Sequence, residues 1–238
     1  MQSLRYKAGG RAFAHIAQFH PELTALRRDL HAHPELGFEE VYTGKRVVEA
    51  LKVCGVDEIH EGIGRTGIVA VVRGRSVASG AMVGLRADMD ALPMTEHNTF
   101  AHASKHPGRM HACGHDGHTA MLLAAARHLA THRDFAGKVV LVFQPAEEGG
   151  GGAAAMIRDG LFSRFPVDAI YGMHNWPGMP AGTFAIKDGP CFASSNEFKI
   201  VLRGKGCHGA MPHLGIDPVP LACQLVQSFQ TILTRNVR

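Results

Sequence analysis

The stretch His111-Ala-Cys113-Gly114-His115-Asp116-Gly117-His118 constrains this chain more than any other, because five of its eight side chains can bind a metal. Cys113 and His115 stand two apart across Gly114. A glycine-relaxed backbone at that spacing can turn a soft thiolate and an imidazole toward one point, which suits a borderline metal such as zinc. Residues 119–129 follow as an Ala/Leu-rich run of helical pattern. The cluster is therefore expected at a helix N-terminus, where free backbone N–H groups and the dipole favour anionic ligands. Single buried cysteines and surface histidines are common; a cluster this dense directly before a helix is not. Sixteen histidines in 238 residues point the same way.

Periodicity indicates the scaffold around the cluster. Residues 21–30 carry Leu23, Leu26 and Leu30 at helical spacing behind Pro21, and residues 43–54 repeat the pattern through Val47, Val48 and Leu51 before Gly55. Between them His31-Ala-His33-Pro34-Glu35 could be read as another ligand pair. Pro34 breaks the helix there and no carboxylate-rich partner follows at ligand spacing, so helix capping is the expected role. Gly62-Ile-Gly64-Arg-Thr-Gly67 matches the dinucleotide fingerprint, but that fingerprint must follow a strand and open a helix, whereas here a strand, 68–72, follows. A glycine-rich turn entering a sheet is expected instead.

Further strands are expected at 81–85, 138–144 and 169–173, and each runs into chemistry. The first leads to Arg86-Ala-Asp88-Met-Asp90-Ala-Leu-Pro93, the second to Pro145-Ala-Glu147-Glu148-Gly149, the third to His174-Asn175-Trp176. Carboxylates and imidazoles at the carboxyl ends of strands in an α/β sheet sit where active sites are usually built. Adjacent glutamates diverge on a loop, so one can take a metal while the other faces substrate.

Composition removes several alternatives. With 45% hydrophobic and 19% charged residues the chain can bury a real core. Its net charge of +4 comes without a Lys/Arg run or aromatic interleaving, so no nucleic-acid partner is expected. No window approaches the roughly 18 uninterrupted apolar residues of a membrane span. Cysteines at 54, 113, 191, 207 and 223 show no regular spacing, and residues 1–19 lack a long apolar run, which places the expected compartment in a reducing cytoplasm.

Taken together in this order, Arg86–Pro93, His111–His118, Gln144-Pro-Ala-Glu-Glu-Gly149 and Met173-His-Asn175 resemble the aminoacylase and carboxypeptidase G type of two-metal peptidases. Within it the chain is most similar to the amidohydrolase subgroup of hippurate hydrolase, indoleacetyl-amino-acid hydrolases and N-acetyl-diaminopimelate deacetylase. The resemblance implies an α/β fold, a mixed, mostly parallel sheet flanked by helices over residues 1–187, and the start of a smaller α+β lid and dimerisation domain over 188–238. It implies two divalent metal ions, zinc or manganese, with Cys113, His115, Glu148 and His174 as ligands. Glu147 would be the general base and Asp90 the carboxylate that orients a ligand. Other branches place a ligating His where Asp88 stands here, and this subgroup uses the Cys113 thiolate instead.

The lid readings follow from the same resemblance. Residues 196–203 alternate Phe198, Ile200 and Leu202 with polar neighbours, as a half-buried strand would. Gly204-Lys-Gly-Cys-His208-Gly-Ala-Met-Pro-His213 matches the lid loop whose His, here His208, would hold the developing oxyanion. Residues 218–231 read as the first lid helix. Family members continue past this point to a last His ligand, so the chain is expected to be an N-terminal portion. On its own it should be inactive, with strands 139–143 and 169–173 short of sheet neighbours. The implied reaction is hydrolysis of an N-acyl or N-aroyl amino acid, a small-molecule substrate, to a carboxylic acid and a free amino acid. A dipeptidase, a desuccinylase, or an inactive remnant serving only as an interaction module are the alternatives.

Overall fold

The computed structural model describes residues 2–4, 11–192 and 196–236. The chain divides into two units, one of Ser3–Phe184 and the other beginning at Ala185. In chain order the first elements are β1 (Gln2–Leu4), α1 (Arg11–Gln18), α2 (His20–Ala32) and α3 (Val41–Cys54). They are followed by β2 (Glu58–Ile63), β3 (Gly67–Arg73), β4 (Met82–Asp88), α4 (His115–Thr131) and β5 (Lys138–Gln144). Then come α5 (Gly152–Arg158), α6 (Leu161–Arg164), β6 (Ala169–Gly172), β7 (Phe184–Ile186) and α7 (Pro218–Asn236).

Five strands form one sheet in the order β2-β3-β5-β4-β6. The sheet is mixed: β2 and β3 run antiparallel to their neighbours, while β5, β4 and β6 are mutually parallel. Gly62 and Gly64, at φ 78° and 66°, turn the chain between β2 and β3. The fingerprint-like glycines are thus a hairpin turn, since positive φ costs glycine least.

The central strands are buried on both faces, which is why Ile68-Val-Ala-Val-Val72 and Val139-Val-Leu-Val-Phe143 read as unbroken apolar runs. Ile68, Ala70, Val72, Leu141 and Phe143 face α3 and α4, packing on Val47, Leu51, Leu122 and Leu123. Val69, Val71, Val140 and Val142 face the other way, onto Met156, Leu161 and Phe165. Each fully buried side chain of this size contributes about 1.5–3 kcal/mol.

Two expectations are corrected. Strand β5 has neighbours on both sides, because antiparallel β3 occupies the edge that a purely parallel sheet would leave open. Of the two, β6 has one neighbour among the described residues, β4, and Ile170 and Tyr171 on it are exposed. Residues 196–203 form no strand. An alternating apolar face becomes a strand only when a partner pairs its N–H and C=O groups, and among the described residues the only pairing nearby is the isolated bridge Lys205–Ile216. The helix expected at 218–231 is present as α7.

The loop after β5 is held by close backbone approach. A Cβ on Gly152 would lie 1.7 Å from the Pro145 carbonyl oxygen, and the Gly152 N–H donates to the Ala146 carbonyl at 3.0 Å. Gly152→Ala is therefore expected to destabilise the fold by about 3 kcal/mol or more, read as a lowered urea midpoint; an unchanged midpoint would show that the loop yields freely.

Candidate metal centre

The paired register of β4 and β5 places Asp88 beside Gln144, and β6 ends level with Arg86. The three segments that follow these strands therefore leave the same edge of the sheet, where α4 begins. Gly114 is the residue before α4 at φ 90°, and a Cβ there would meet the Asn175 side chain at 2.4 Å. Glycine is required twice over, for conformation and for space.

His115 opens α4 and is fully buried. Its Nδ1 lies 2.8 Å from the Asp90 carbonyl oxygen, which can only accept, so Nδ1 carries the proton. That fixes the lone pair of the neutral ring on Nε2, the usual arrangement for a metal-binding imidazole. Nε2 is buried and has no hydrogen-bond partner. It sits 3.7 Å from Asp88 Oδ1, 3.8 Å from Glu148 Oε1 and 3.9 Å from Glu147 Oε2. Glu148 Oε1 is likewise buried without a partner. Cys113 Sγ lies 3.4 Å from His174 Nε2, and His174 Nδ1 donates to the Asn175 carbonyl at 2.6 Å, so the lone pair of the neutral ring is on Nε2, beside the thiol.

Two orphaned buried atoms facing each other beside a thiol and a second imidazole are costly unless a cation joins them. The thiol gives the same indication. Burial, a hydrogen bond to Glu148 and the charges of Glu148, Glu147 and Asp88 push the Cys113 pKa up to about 12. A thiolate can exist there near neutral pH only beside a strong positive charge. The sulfur, nitrogen and carboxylate donors present fit a borderline divalent ion. Cys113, His115 and His174 form one group of converging donors, and His115, Glu147 and Glu148 another.

The two glutamates differ in their surroundings. The Glu147 side chain is 42% exposed and that of Glu148 23%. Asp90 is buried between the two halves of the centre. It lies 3.3 Å from His115 Nδ1 through Oδ1 and accepts the Glu148 backbone N–H at 2.9 Å through Oδ2. His208 belongs to the other unit, where it is exposed and its Nδ1 accepts the Ala210 N–H at 3.2 Å.

Asp88, His118 and Asn175 form a group that the motif reading did not pair. His118 Nδ1 donates to Asp88 Oδ1 at 2.6 Å, and its Nε2 accepts the Asn175 backbone N–H at 3.1 Å. Arg86 binds the other Asp88 oxygen at 2.8 Å and Gln144 at 2.9 Å. Burial would raise the Asp88 pKa, but the His118 hydrogen bond and the charges of His115, Arg86 and His118 hold it at about 2. The available signal was the spacing of His115 and His118, one turn apart on a helix; the pairing of His118 with Asp88 across 30 residues required the packing of α4 on β4.

Asp116 points away from the centre. Its Oδ2 accepts Arg27 at 2.7 Å and His31 Nδ1 at 2.9 Å, while His31 Nε2 meets Glu96 at 3.1 Å. His33 donates to the Asp29 carbonyl at 2.8 Å, and Glu35 accepts the Tyr42 and Thr43 N–H groups at the start of α3. Residues 31–35 are thus structural, with capping by His33 and Glu35 and a buried ion pair at His31. The Asp116 hydrogen bond raises the His31 pKa above 6.5 despite burial. Burial would raise the Asp116 pKa, but His31, His111 and Arg27 hold it below 3.8.

A raised histidine contributes stability that is complete below its unfolded pKa and lost as pH rises through the folded one; a depressed aspartate contributes stability that is lost as pH falls through its folded pKa. The pair should therefore stabilise most between about pH 4 and 6.5. Chemical unfolding at pH 6 and pH 9 should show a decline in the wild type that His31→Gln reduces, and parallel profiles would exclude this pair as its source.

Comparison with known proteins identifies a family for the chain. The profile of peptidase family M20/M25/M40 matches residues 84–235. The chain is 46% identical over 222 residues to the hippurate hydrolase of Campylobacter jejuni, an alignment covering 93% of this chain and 57% of that protein. It is 42% identical over 225 residues to the N-acetylcysteine deacetylase of Bacillus subtilis, with 92% and 57% covered. The crystal structure of the Bacillus subtilis YXEP protein, a dinuclear metal binding peptidase, is similar with a TM-score of 0.68 and 43% identity over 73% of this chain and 48% of that one. The chain spans a little over half the length of the curated relatives it matches.

Proposed function

The chain belongs to peptidase family M20/M25/M40, and on that premise we propose that it carries the catalytic centre of a metal-dependent amidohydrolase acting on N-acyl or N-aroyl amino acids. The observation that carries the reading is the pair of orphaned buried atoms, His115 Nε2 and Glu148 Oε1, 3.8 Å apart beside the more open Glu147. Cys113, His115, Glu148 and His174 would hold two divalent ions, and the Cys113 sulfur favours zinc over manganese. Bound, such ions supply Lewis acidity that polarises an amide carbonyl and acidifies water.

The protein's own groups do the rest. Glu147, the more exposed carboxylate, takes a proton from the attacking water and returns it to the leaving nitrogen as the C–N bond breaks, giving a carboxylic acid and a free amino acid. Asp90 keeps the His115 lone pair on Nε2 and ties the Glu148 backbone to it. His208, from a lid that begins at 188–238, would donate to the oxyanion, a contribution often worth around 10²-fold in rate; residues 1–187 would form the catalytic domain. The lid would also join two copies in a homodimer. All five cysteines are free in the structure, which suits a reducing cytoplasm, and among the described residues no helix is long and apolar enough to cross a membrane.

The test is hydrolysis of benzoylglycine and N-acetylcysteine by the metal-loaded protein. Turnover of either that is lost to a chelator and restored by zinc or manganese supports the reading. Cleavage of unblocked dipeptides alone would favour a dipeptidase, and neither metal nor turnover would favour an interaction module.

A further inference from the structure

Three histidines gather at the other end of α4, away from the metal centre. His128 and His132 stand four residues apart on one helix face with their rings stacked at 4.7 Å between centroids. His15, on α1, meets both, at 5.3 Å from His128 and 4.4 Å from His132. One nitrogen from each ring lies within 4.8 Å of the other two. Thirteen residues separate His128 from His115, which is about 20 Å along a helix, so this group is spatially separate from the centre at His115.

A hydrogen bond between His15 and His128 would explain two of the three rings. The remaining details fit ligation better. His15 Nδ1 and His128 Nδ1 are 3.2 Å apart, close to the roughly 3.3 Å edge of a tetrahedron whose metal–nitrogen bonds are about 2.0–2.1 Å. His132 Nδ1 lies 3.3 Å from the His128 carbonyl. That oxygen can only accept, so Nδ1 is the donor and the lone pair is on Nε2, the support that metal-binding imidazoles usually have. Burial comes first among the causes that lower the pKa of His15 and of His128, followed by the neighbouring His132 ring. The two rings are therefore neutral and available as ligands near pH 7. Arg127 adds to the effect at His15, while Asp134 opposes it at His128.

We propose that His15, His128 and His132 form a binding site for one borderline transition-metal ion, zinc in the first instance, which fastens α1 to the C-terminal end of α4. Three imidazoles leave at least one position for water, and nitrogen-only donors of this kind also accept copper and nickel in the usual order of affinity. The site does not depend on the reading of the centre at His115. Saturation at a hundred times the dissociation constant would raise the ratio of folded to unfolded chain about 100-fold.

The experiment is equilibrium dialysis against zinc with metal analysis. In a Cys113→Ala/Glu148→Gln background, which weakens the other centre, about one zinc per chain should remain, and adding His128→Asn or His132→Asn should remove it. Zinc content unchanged by both substitutions, or no zinc in the background variant, overturns the proposal. Should the variants fold poorly, the wild-type chain answers alone. Zinc should protect His15, His128 and His132 from diethylpyrocarbonate, mapped by mass spectrometry, while exposed His20 reacts as before; equal modification of all four with and without zinc overturns the proposal.

Discussion

Glu147→Gln should leave the metal content of the protein unchanged and lower the hydrolysis rate by about 10²- to 10⁴-fold, the usual weight of general acid–base help. Its carboxylate is the more exposed of the adjacent pair and lies 3.9 Å from His115 Nε2, on the side open to solvent. The amide of Gln keeps the size and can hydrogen-bond to water, but cannot accept its proton at neutral pH. Glu148→Gln should behave in the opposite way. Glu148 presents a buried, partnerless oxygen to His115, and replacing a charged donor there should strip metal before it affects any later step. Metal analysis and single-turnover rates on the two variants separate the roles, and equal metal loss in both would contradict the division.

The second large effect is expected at Cys113. Its thiol is protonated without metal, with a pKa pushed up to about 12 by burial and by the Glu148 hydrogen bond and neighbouring carboxylates. Ligation requires the thiolate, so metal binding near neutral pH should release one proton from this residue. Calorimetry in buffers of different ionisation enthalpy reads that proton directly. Cys113→Ala should abolish the release and weaken metal binding by at least about 10²-fold, since losing an outer partner alone commonly costs 10- to 100-fold. Unchanged proton release in Cys113→Ala would remove Cys113 from the ligand set.

The parts of this fold that were readable from sequence are those whose physics is local. Strands β3 and β5 are covered on both faces and so appear as continuous apolar runs, and α4 announces itself through its Ala/Leu composition. Strand β2, Glu58-Ile-His-Glu-Gly-Ile63, is an edge strand with its outer positions solvated, and it carries no such run. The short helices α1, α5 and α6 gave too few turns for a clear period. The candidate metal donors stand out because they sit in compact motifs at strand ends. The Asp88–His118 bond and the His31–Asp116 pair could not, because each joins residues 30 or 85 positions apart through tertiary packing. At 196–203 the alternation was real but the pairing partner was not supplied by the described residues, so pattern alone overstated the structure.

The common edge at which β4, β5 and β6 end has a consequence for how the chain tolerates change. The donors after these strands are spaced by the backbone ladder, Asp88 opposite Gln144 and Arg86 opposite Gly172, so their accuracy is inherited from interstrand hydrogen bonds and not from the loops themselves. One residue inserted within β5 would turn every later side chain of that strand to the opposite face and displace Glu147 and Glu148 relative to His115. The same insertion in exposed residues 97–101 would lengthen a surface excursion and leave the ladder untouched. Length variation should therefore be filtered by position: prohibited inside the parallel strands, cheap at exposed residues 97–101.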